Sequence, residues 1–400
     1  MSQLVSKRKR KTHGTERVTM ATKVRFWDKP SSVKKRTSTS LGILTKRPIR
    51  RTGSESYLDQ YIRTYYKSKL EIPCSAILSV RQSVANVLGA LSPLVQENEY
   101  SMVIGDFVCV GSGYDGMKNG IPDEFDVVVP FRLGPKCSET RRPATDYVCV
   151  RSRRGSKNAG KDTWSGCRTG EGYISPIKVT KRLQKIVLKA LEETGLPNVI
   201  IHPDCRNALG GERVGVRLST EDGVTIRLLP ALGTVDQLEP FLVAISYRDD
   251  PDYTLSDYYW RRCFCVEEGK VVRCLSQADG GRRIKVLQVM KHAFRKDAML
   301  RHLSDYAMKT ALMHMFDQHI DEDDWHAYSF AACFMEMLRL LHGYLKRQNL
   351  PHFYMDDVNV LRNVPEPRLV SMTGKVESLL ASEQERTRLL RSQFPVTMSL

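Results

Sequence analysis

A glycine-serine turn and two closely spaced carboxylates lie between two apolar stretches, and this segment constrains the fold more than any other. Residues 102–110 are predicted to form a strand that ends at the turn of Gly111 and Ser112. A second predicted strand begins at Glu124 and carries Asp126 two positions later. Because side chains alternate along a strand, the two carboxylates would lie on one face. The sequence therefore predicts a single site between the turn and the second strand.

The residue types at this site suit a nucleotide phosphate and a divalent cation. A turn at the end of a strand presents backbone N–H groups, and Ser112 adds a hydroxyl, so both would contact phosphate. Paired carboxylates are ligands for Mg²⁺ or Mn²⁺ in phosphoryl transfer. A Glu-x-Asp pair alone is more often a solvated strand edge, but the turn before it favours a nucleotidyltransferase-type site. We therefore predict Gly111 and Ser112 as nucleotide contacts, and Glu124 and Asp126 as metal ligands and catalytic acids.

The order of the predicted elements indicates an α+β fold with a mixed-sheet N-lobe, a helical C-lobe and a cleft between them. The first half is predicted to contain helices at 56–70, 76–95 and 176–193, loops or an irregular hairpin at 134–171, and strands at 102–110, 124–131, 198–202, 212–219, 224–232 and 241–247. The second half is predicted to contain helices at 281–295, 303–319, 325–347 and 374–393. We divide the chain into a disordered basic tail at 1–54, a core at 55–250, a helical lobe at 251–370, and an amphipathic C-terminal helix and tail at 371–400.

The positive charge of the chain is concentrated in its first residues. The net charge is +17, and residues 1–54 carry 16 basic side chains against the two acids Glu16 and Asp28. A double-stranded nucleic acid would therefore bind the tail rather than the nearly neutral remainder. The basic run at 7–11 fits a nuclear import signal or a phosphate-backbone contact, and an ordinary solvated tail is the alternative.

Hydropathy and cysteine usage indicate a cytoplasmic protein, with a nuclear location left open. No stretch reaches the roughly 18 unbroken apolar residues of a membrane span, and the N-terminus has no apolar signal segment. The ten cysteines show no regular framework, which favours reduced thiols. A zinc site at Cys263, Cys265 and Cys274 is disfavoured because no nearby histidine completes four ligands.

The turn followed by Glu-Phe-Asp-Val resembles the cyclic GMP-AMP synthase group, whose relatives are the male-abnormal (Mab) proteins and the mitochondrial dynamics adaptors. The resemblance extends over roughly residues 55–365. The segments at 172–176, 259–261 and 277–279 resemble the mitochondrial dynamics branch especially. The resemblance implies a bilobal nucleotidyltransferase fold with a purine nucleotide, such as ATP or GTP, between the lobes.

The resemblance also implies a third metal-binding carboxylate on a later strand, where this chain has Arg227. The nearest acid, Asp222, lies five residues earlier in a predicted hairpin turn, about 16 Å away along a strand. Arg227 would place a fixed cation beside Glu124 and Asp126, or would contact a nucleotide phosphate. Lysines on the first C-lobe helix contact phosphates in the family, which implies such roles for Lys291 and Lys285. A solvated basic helix face is the alternative for both.

Two functions remain open at this stage. The first is a nucleotide-binding regulator or adaptor without effective catalysis, which the resemblance links to a dynamin-type GTPase at the mitochondrial surface. Such adaptors carry an N-terminal membrane anchor, and no apolar segment of that kind is seen here. The second is a metal-dependent enzyme that makes a cyclic dinucleotide in response to double-stranded nucleic acid. The Glu124 and Asp126 pair favours the enzyme, and Arg227 favours the regulator.

Overall fold

The computed structural model describes residues 57–134, 136–153, 162–196, 198–202, 215–233, 240–244, 258–318 and 329–391. The predicted basic tail at 1–54 lies outside these residues. In chain order, the described helices are α1 (Tyr57–Lys69), α2 (Cys74–Gln96), α3 (Ser112–Asp115), α4 (Pro176–Thr194), α5 (Cys265–Asp279), α6 (Arg282–Lys296), α7 (Asp305–Gln318), α8 (Phe330–Lys346), α9 (Glu366–Ala381) and α10 (Glu383–Arg391). The strands are β1 (Val108–Val110), β2 (Glu124–Arg132), β3 (Cys137–Arg141), β4 (Tyr147–Ser152), β5 (Val199–Ile201), β6 (Val216–Thr220), β7 (Thr225–Gly233), β8 (Phe241–Val243), β9 (Tyr259–Cys263), β10 (Pro351–His352) and β11 (Met355–Asn359).

Nine strands form one mixed sheet, which confirms the predicted α+β class. The strand order is β1-β2-β7-β8-β9-β4-β3, and β6 and β5 extend the sheet from β7. Strands β2 and β7 run parallel, whereas the other described pairs are antiparallel. Strand β2 is buried over most of its length, as is usual for a strand covered on both faces. The strands that carry Glu124, Asp126 and Arg227 are therefore interior strands of the sheet, each paired on both sides.

Helices α2 and α4 cover the sheet of the N-lobe. Helix α4 begins where the Ser175 hydroxyl accepts a hydrogen bond from the Lys178 backbone N–H, and it ends at Gly195 in a left-handed conformation. Helix α2 is long and apolar enough to cross a membrane by length and composition, which is weak evidence because core helices pass the same test. Its residues Leu88 and Leu91 are buried in the N-lobe core.

Helix α1 precedes the sheet in sequence but packs in the helical lobe. Ile62 and Tyr65 are fully buried in the same cluster as the core residues of α6 to α9. The buried Asp59 carboxylate accepts a hydrogen bond of 2.9 Å from the Ala331 backbone N–H at the start of α8. It therefore binds one of the N–H groups that a helix N-terminus leaves without an intrahelical partner.

Two predicted elements differ from the structure, and one helix was not predicted. The predicted strand at 102–110 is regular only over Val108–Val110. The predicted helix at 374–393 is two helices, because Ser382 is extended (φ −121°) and its hydroxyl accepts a hydrogen bond from the Glu385 N–H, which starts α10. Helix α5 was not predicted, although its buried Val271, Val272 and Leu275 have helical spacing. The loop-rich stretch at 134–171 contains the hairpin of β3 and β4.

Replacing Asp59 tests how α1 is held to the helical lobe. We expect Asp59→Ala to lower the free energy of unfolding by about 1–3 kcal/mol, because the Ala331 N–H loses its acceptor inside the protein. Asp59→Asn is the matched control, since it retains an acceptor oxygen and should lose less. Urea unfolding followed by circular dichroism measures both changes. An alanine variant as stable as the wild type would show that this contact does not anchor α1.

Candidate functional site

The turn after β1 requires a glycine at position 111. Gly111 has φ +85°, a conformation that side-chain-bearing residues rarely adopt. A Cβ atom there would also lie 3.3 Å from Asp126 Oδ2. The Gly111 carbonyl accepts hydrogen bonds from the backbone N–H groups of Tyr114 and Asp115, which closes the turn. The turn therefore brings Ser112 against the carboxylate strand, as the sequence predicts.

The register of the sheet places three predicted site residues on one face. Asp126 lies opposite Val110 on the antiparallel strand β1 and beside Arg227 on the parallel strand β7. Arg227 Nε donates to Asp126 Oδ1 at 2.8 Å, and Arg227 Nη1 lies 2.9 Å from Glu124 Oε1. The Asp126 and Arg227 side chains are 10% and 16% exposed, and Glu124 is 38% exposed. The structure thus forms a carboxylate–guanidinium–carboxylate cluster.

This cluster does not fit a divalent cation in the described conformation. The Arg227 guanidinium contacts one oxygen of each carboxylate that Mg²⁺ or Mn²⁺ would need, and a second cation beside it would be repelled. Within the described ranges, no group of three or more His, Cys, Asp or Glu side chains is placed to hold a metal ion. Cys263, Cys265 and Cys274 are free thiols.

Two adjoining cavities, of about 230 and 640 Å³, open beside the cluster. Six residues line both of them, namely Val110, Ser112, Asp126, Arg227, Lys291 and Asp305. The larger cavity is lined by six cationic and four acidic side chains, and by the buried apolar residues Val128, Leu229 and Val243. The lining thus combines charged side chains with an apolar surface, as many small-molecule pockets do.

Helix α6 carries the two lysines that the resemblance implies as phosphate contacts, and the structure separates them. Lys291 lines both cavities, where its Nζ lies 2.8 Å from Asp305 Oδ2 and donates to the Met117 carbonyl at 3.2 Å. Burial lowers the Lys291 pKa from its ordinary value, and Asp305 partly opposes that shift. The Lys285 Nζ instead lies 5.5 Å from the centre of the Tyr66 ring, and Lys285 lines neither cavity.

Helix α6 also holds the segment that joins the turn to the carboxylate strand. Gln288 Nε2 donates to the carbonyls of Gly116 and Lys118 at 3.2 and 3.0 Å, and Asn119 Nδ2 donates to the Gln288 carbonyl at 3.1 Å. Between these contacts, Met117 is buried in the helical-lobe core. The geometry of the site therefore depends on contacts from the C-lobe.

A buried charge network lies along the larger cavity. Lys309 Nζ lies 2.8 Å from Glu268 Oε2 and 3.5 Å from Asp115 Oδ2, and the Tyr306 hydroxyl donates to Glu268 Oε1 at 2.8 Å. Burial opposes ionisation of Glu268, but the Lys309 ammonium and these hydrogen bonds outweigh it, so the Glu268 pKa is lowered. Burial also opposes the charge on Lys309, yet its two carboxylate neighbours raise its pKa. These contacts fix the first turns of helix α7, which carries Tyr306 and Lys309.

Two family profiles follow one another along the chain and together span more than half of it. The Mab-21 protein nucleotidyltransferase domain matches residues 113–270, and the Mab-21 protein HhH/H2TH-like domain matches residues 282–378. The chain belongs to the Mab-21 family. The predicted family and the nucleotidyltransferase fold are confirmed. The first domain holds the Glu124, Asp126 and Arg227 cluster, and the second holds Lys291 and Asp305.

This Mab-21 protein is similar to mitochondrial dynamics proteins and to cyclic GMP-AMP synthase-like receptors. Mitochondrial dynamics protein MID51 of Danio rerio is 23% identical over 334 residues, which cover 79% of this chain and 68% of the relative. Mitochondrial dynamics protein MID49 of Pongo abelii is 21% identical over 331 residues, covering 78% and 68%. Cyclic GMP-AMP synthase-like receptor 3 of Stylophora pistillata is 22% identical over 314 residues, covering 76% and 88%.

Sequence reasoning missed an ionic contact between the two Mab-21 domains. Asp146, fully buried at the start of β4, accepts a hydrogen bond of 2.7 Å from Arg362 Nη2 and forms an ion pair with Arg261. Burial opposes the charge on Asp146, but the two guanidinium groups outweigh it and lower its pKa. No local pattern indicates this contact, because Asp146 and Arg362 lie far apart in the sequence.

The Asp146 contact should stabilise the protein in a pH-dependent way. Because the folded-state pKa of Asp146 is lowered from its ordinary value of 3.8, its contribution is present above that value and is lost as the pH falls through the folded-state pKa. We expect Asp146→Asn to cost about 2–3 kcal/mol at pH 7, since it leaves two arginines without their carboxylate. The difference from the wild type should shrink below about pH 4.

Denaturant unfolding between pH 3 and pH 7 measures this difference. Asp357→Asn is the matched control, because Asp357 is also paired with an arginine, Arg141, but is 51% exposed. It should cost less than Asp146→Asn throughout. If the difference in the free energy of unfolding between the wild type and Asp146→Asn grew as the pH fell, the lowered pKa of Asp146 would be contradicted.

Proposed function

We propose that this Mab-21 protein binds a purine nucleotide between its lobes and acts as a regulator or adaptor, with weak or no nucleotidyl transfer. The observation that carries the proposal is the Arg227 guanidinium between the Glu124 and Asp126 carboxylates, 2.9 and 2.8 Å away. It puts a permanent positive charge where phosphoryl transfer would need a metal ion. Arg227 is therefore suited to bind phosphate without a resident cation.

The lining of the two cavities favours one orientation of the nucleotide. We propose that the phosphates contact the Ser112 hydroxyl, Arg227 and Lys291, which line both cavities. The purine would lie in the larger cavity against its apolar wall of Val128, Leu229 and Val243. Charge-assisted hydrogen bonds would hold the phosphates, and burial of the ring would add affinity.

Weak catalysis follows from the same contacts. A carboxylate oxygen that is already paired with a guanidinium is a poorer metal ligand than a free one, because the arginine occupies it and repels a second cation. Glu124 and Asp126 are both in this position. We propose that binding of the nucleotide, rather than its conversion, is what the protein contributes, and that Mg²⁺ and Mn²⁺ are dispensable for binding.

The relatives support the class of function rather than its details. The mitochondrial dynamics relatives favour an adaptor with a protein partner in mitochondrial dynamics, and a dynamin-type GTPase is the partner we propose to test first. The cyclic GMP-AMP synthase-like relatives and the retained carboxylate pair favour the alternative. In that alternative, double-stranded nucleic acid bound through the basic residues 1–54 activates synthesis of a cyclic dinucleotide. We also propose that the protein is cytoplasmic or nuclear.

Calorimetric titration of the full chain with ATP, ADP, GTP and GDP tests the binding function. We expect saturable binding of at least one purine nucleotide, weakened about tenfold or more in Lys291→Met because a charge-assisted phosphate contact is lost. Lys285→Met is the matched control, since it makes the same change on the same helix outside both cavities. Equal affinities of the two lysine variants would contradict the proposed site.

Product analysis separates the regulator from the enzyme. Incubation with ATP and GTP, with Mg²⁺ or Mn²⁺ and with or without double-stranded RNA or DNA, should give little or no cyclic dinucleotide or other nucleotidyl-transfer product. Robust turnover that Glu124→Gln abolishes would overturn the regulator and establish the enzyme.

A further inference from the structure

The junction of the two cavities contains an acidic side chain that the proposed function does not use. Asp305 begins helix α7 and lines both cavities together with Lys291. Its Oδ2 atom lies 2.8 Å from Lys291 Nζ and 2.7 Å from Arg295 Nη2. One carboxylate oxygen thus contacts two cations that also line the smaller cavity. It lies where a phosphate oxygen would make the same pair of contacts.

Exposure indicates that this carboxylate stands on the solvent side of the lysine. The Asp305 side chain is 43% exposed and that of Arg295 is 57% exposed, whereas that of Lys291 is 5% exposed. Lys291 also donates to the Met117 carbonyl, so its ammonium is held in place from the protein side. An anion that enters from the cavity must therefore displace Asp305 before it contacts the Lys291 ammonium.

The backbone that carries Asp305 is fixed, so only its side chain is free to rotate. The next residue, Tyr306, donates to Glu268, and Lys309 one turn later contacts both Glu268 and Asp115. The Lys309, Asp115 and Glu268 side chains are only 12%, 5% and 7% exposed, and their contacts anchor the first turns of α7. An aspartate has two side-chain torsions, and a partly exposed one turns away from its partners at small cost.

We propose that Asp305 is an internal competitor for the phosphate groups of the ligand, and that it sets the affinity of the pocket for polyphosphate anions. This inference rests on the proposed nucleotide site. In the unliganded protein, Asp305 pairs with Lys291 and Arg295 and offsets one of their two positive charges. A nucleoside di- or triphosphate exchanges with that carboxylate, which then remains nearby as a like charge and weakens the complex. Asp305 thereby makes the pocket selective for ligands whose base and whose contact with Arg227 supply enough binding free energy to displace the carboxylate.

Titration of the full chain with inorganic triphosphate and with GTP, at fixed ionic strength, tests the proposal. Asp305→Asn should bind inorganic triphosphate about tenfold more tightly or better, because it keeps the shape of the side chain and removes the competing charge. Glu366→Gln is the matched control, since it removes one negative charge outside both cavities and should leave the affinity nearly unchanged. Adding Lys291→Met to Asp305→Asn should abolish the gain.

The outcomes separate this inference from the proposed function. Tight triphosphate binding by Asp305→Asn without purine nucleotide binding by the wild type would support the competitor and overturn the nucleotide function. A second outcome is that the wild type binds purine nucleotide but Asp305→Asn binds neither inorganic triphosphate nor GTP more tightly. That outcome would overturn the role of Asp305 as a competitor and leave the nucleotide function standing. Absence of binding by every variant would overturn both. Asp305→Ser repeats the test in a second variant that removes the charge, in case the asparagine variant does not fold.

Discussion

The ion pairs of Arg227 with Glu124 and Asp126 are the contacts on which the site depends. Three charged side chains lie together on neighbouring central strands, and two of them are at least four-fifths buried. Charges removed from water are tolerated when they are paired and hydrogen-bonded, and removing one partner leaves the others uncompensated. The parallel register of β2 and β7 fixes the pairing, since it sets Asp126 beside Arg227. The turn at Gly111 then completes the site, because its φ of +85° favours glycine and a Cβ atom there would lie only 3.3 Å from Asp126 Oδ2.

The helical lobe determines how this cluster is presented to a ligand. Helix α6 holds the segment after the turn through Gln288, and it contributes Lys291 to the junction of the cavities. Helix α7 contributes Asp305 and is anchored by the buried Lys309 network. A ligand bound between the lobes would therefore contact groups that both lobes position. Under the proposed function, such a ligand would couple the two lobes, as a regulator requires.

The sequence predicts the part of the site that local spacing determines, and it misses the part that tertiary packing determines. The placement of Glu124 and Asp126 on one face follows from the two-residue period of a strand, and in the structure both are paired with Arg227. Lys285 and Lys291 are six residues apart, which places them about 120° apart around a helix, so only one of them faces the cavities. The contacts among Asp115, Glu268 and Lys309 join residues far apart in the sequence and follow no period. The break between α9 and α10 depends on the single conformation of Ser382, which an amphipathic pattern does not reveal.

The central claim is that Arg227 takes the place of a metal ion at the paired carboxylates. The most direct test is a Mn²⁺ titration of the wild type and of Arg227→Asp, followed by electron paramagnetic resonance of the free and bound ion. We expect no specific Mn²⁺ binding by the wild type at this site. We expect a new bound signal in Arg227→Asp, where three carboxylates face one another, and its loss when Asp126→Asn is added. Specific Mn²⁺ binding by the wild type that Asp126→Asn abolishes would contradict the role given to Arg227.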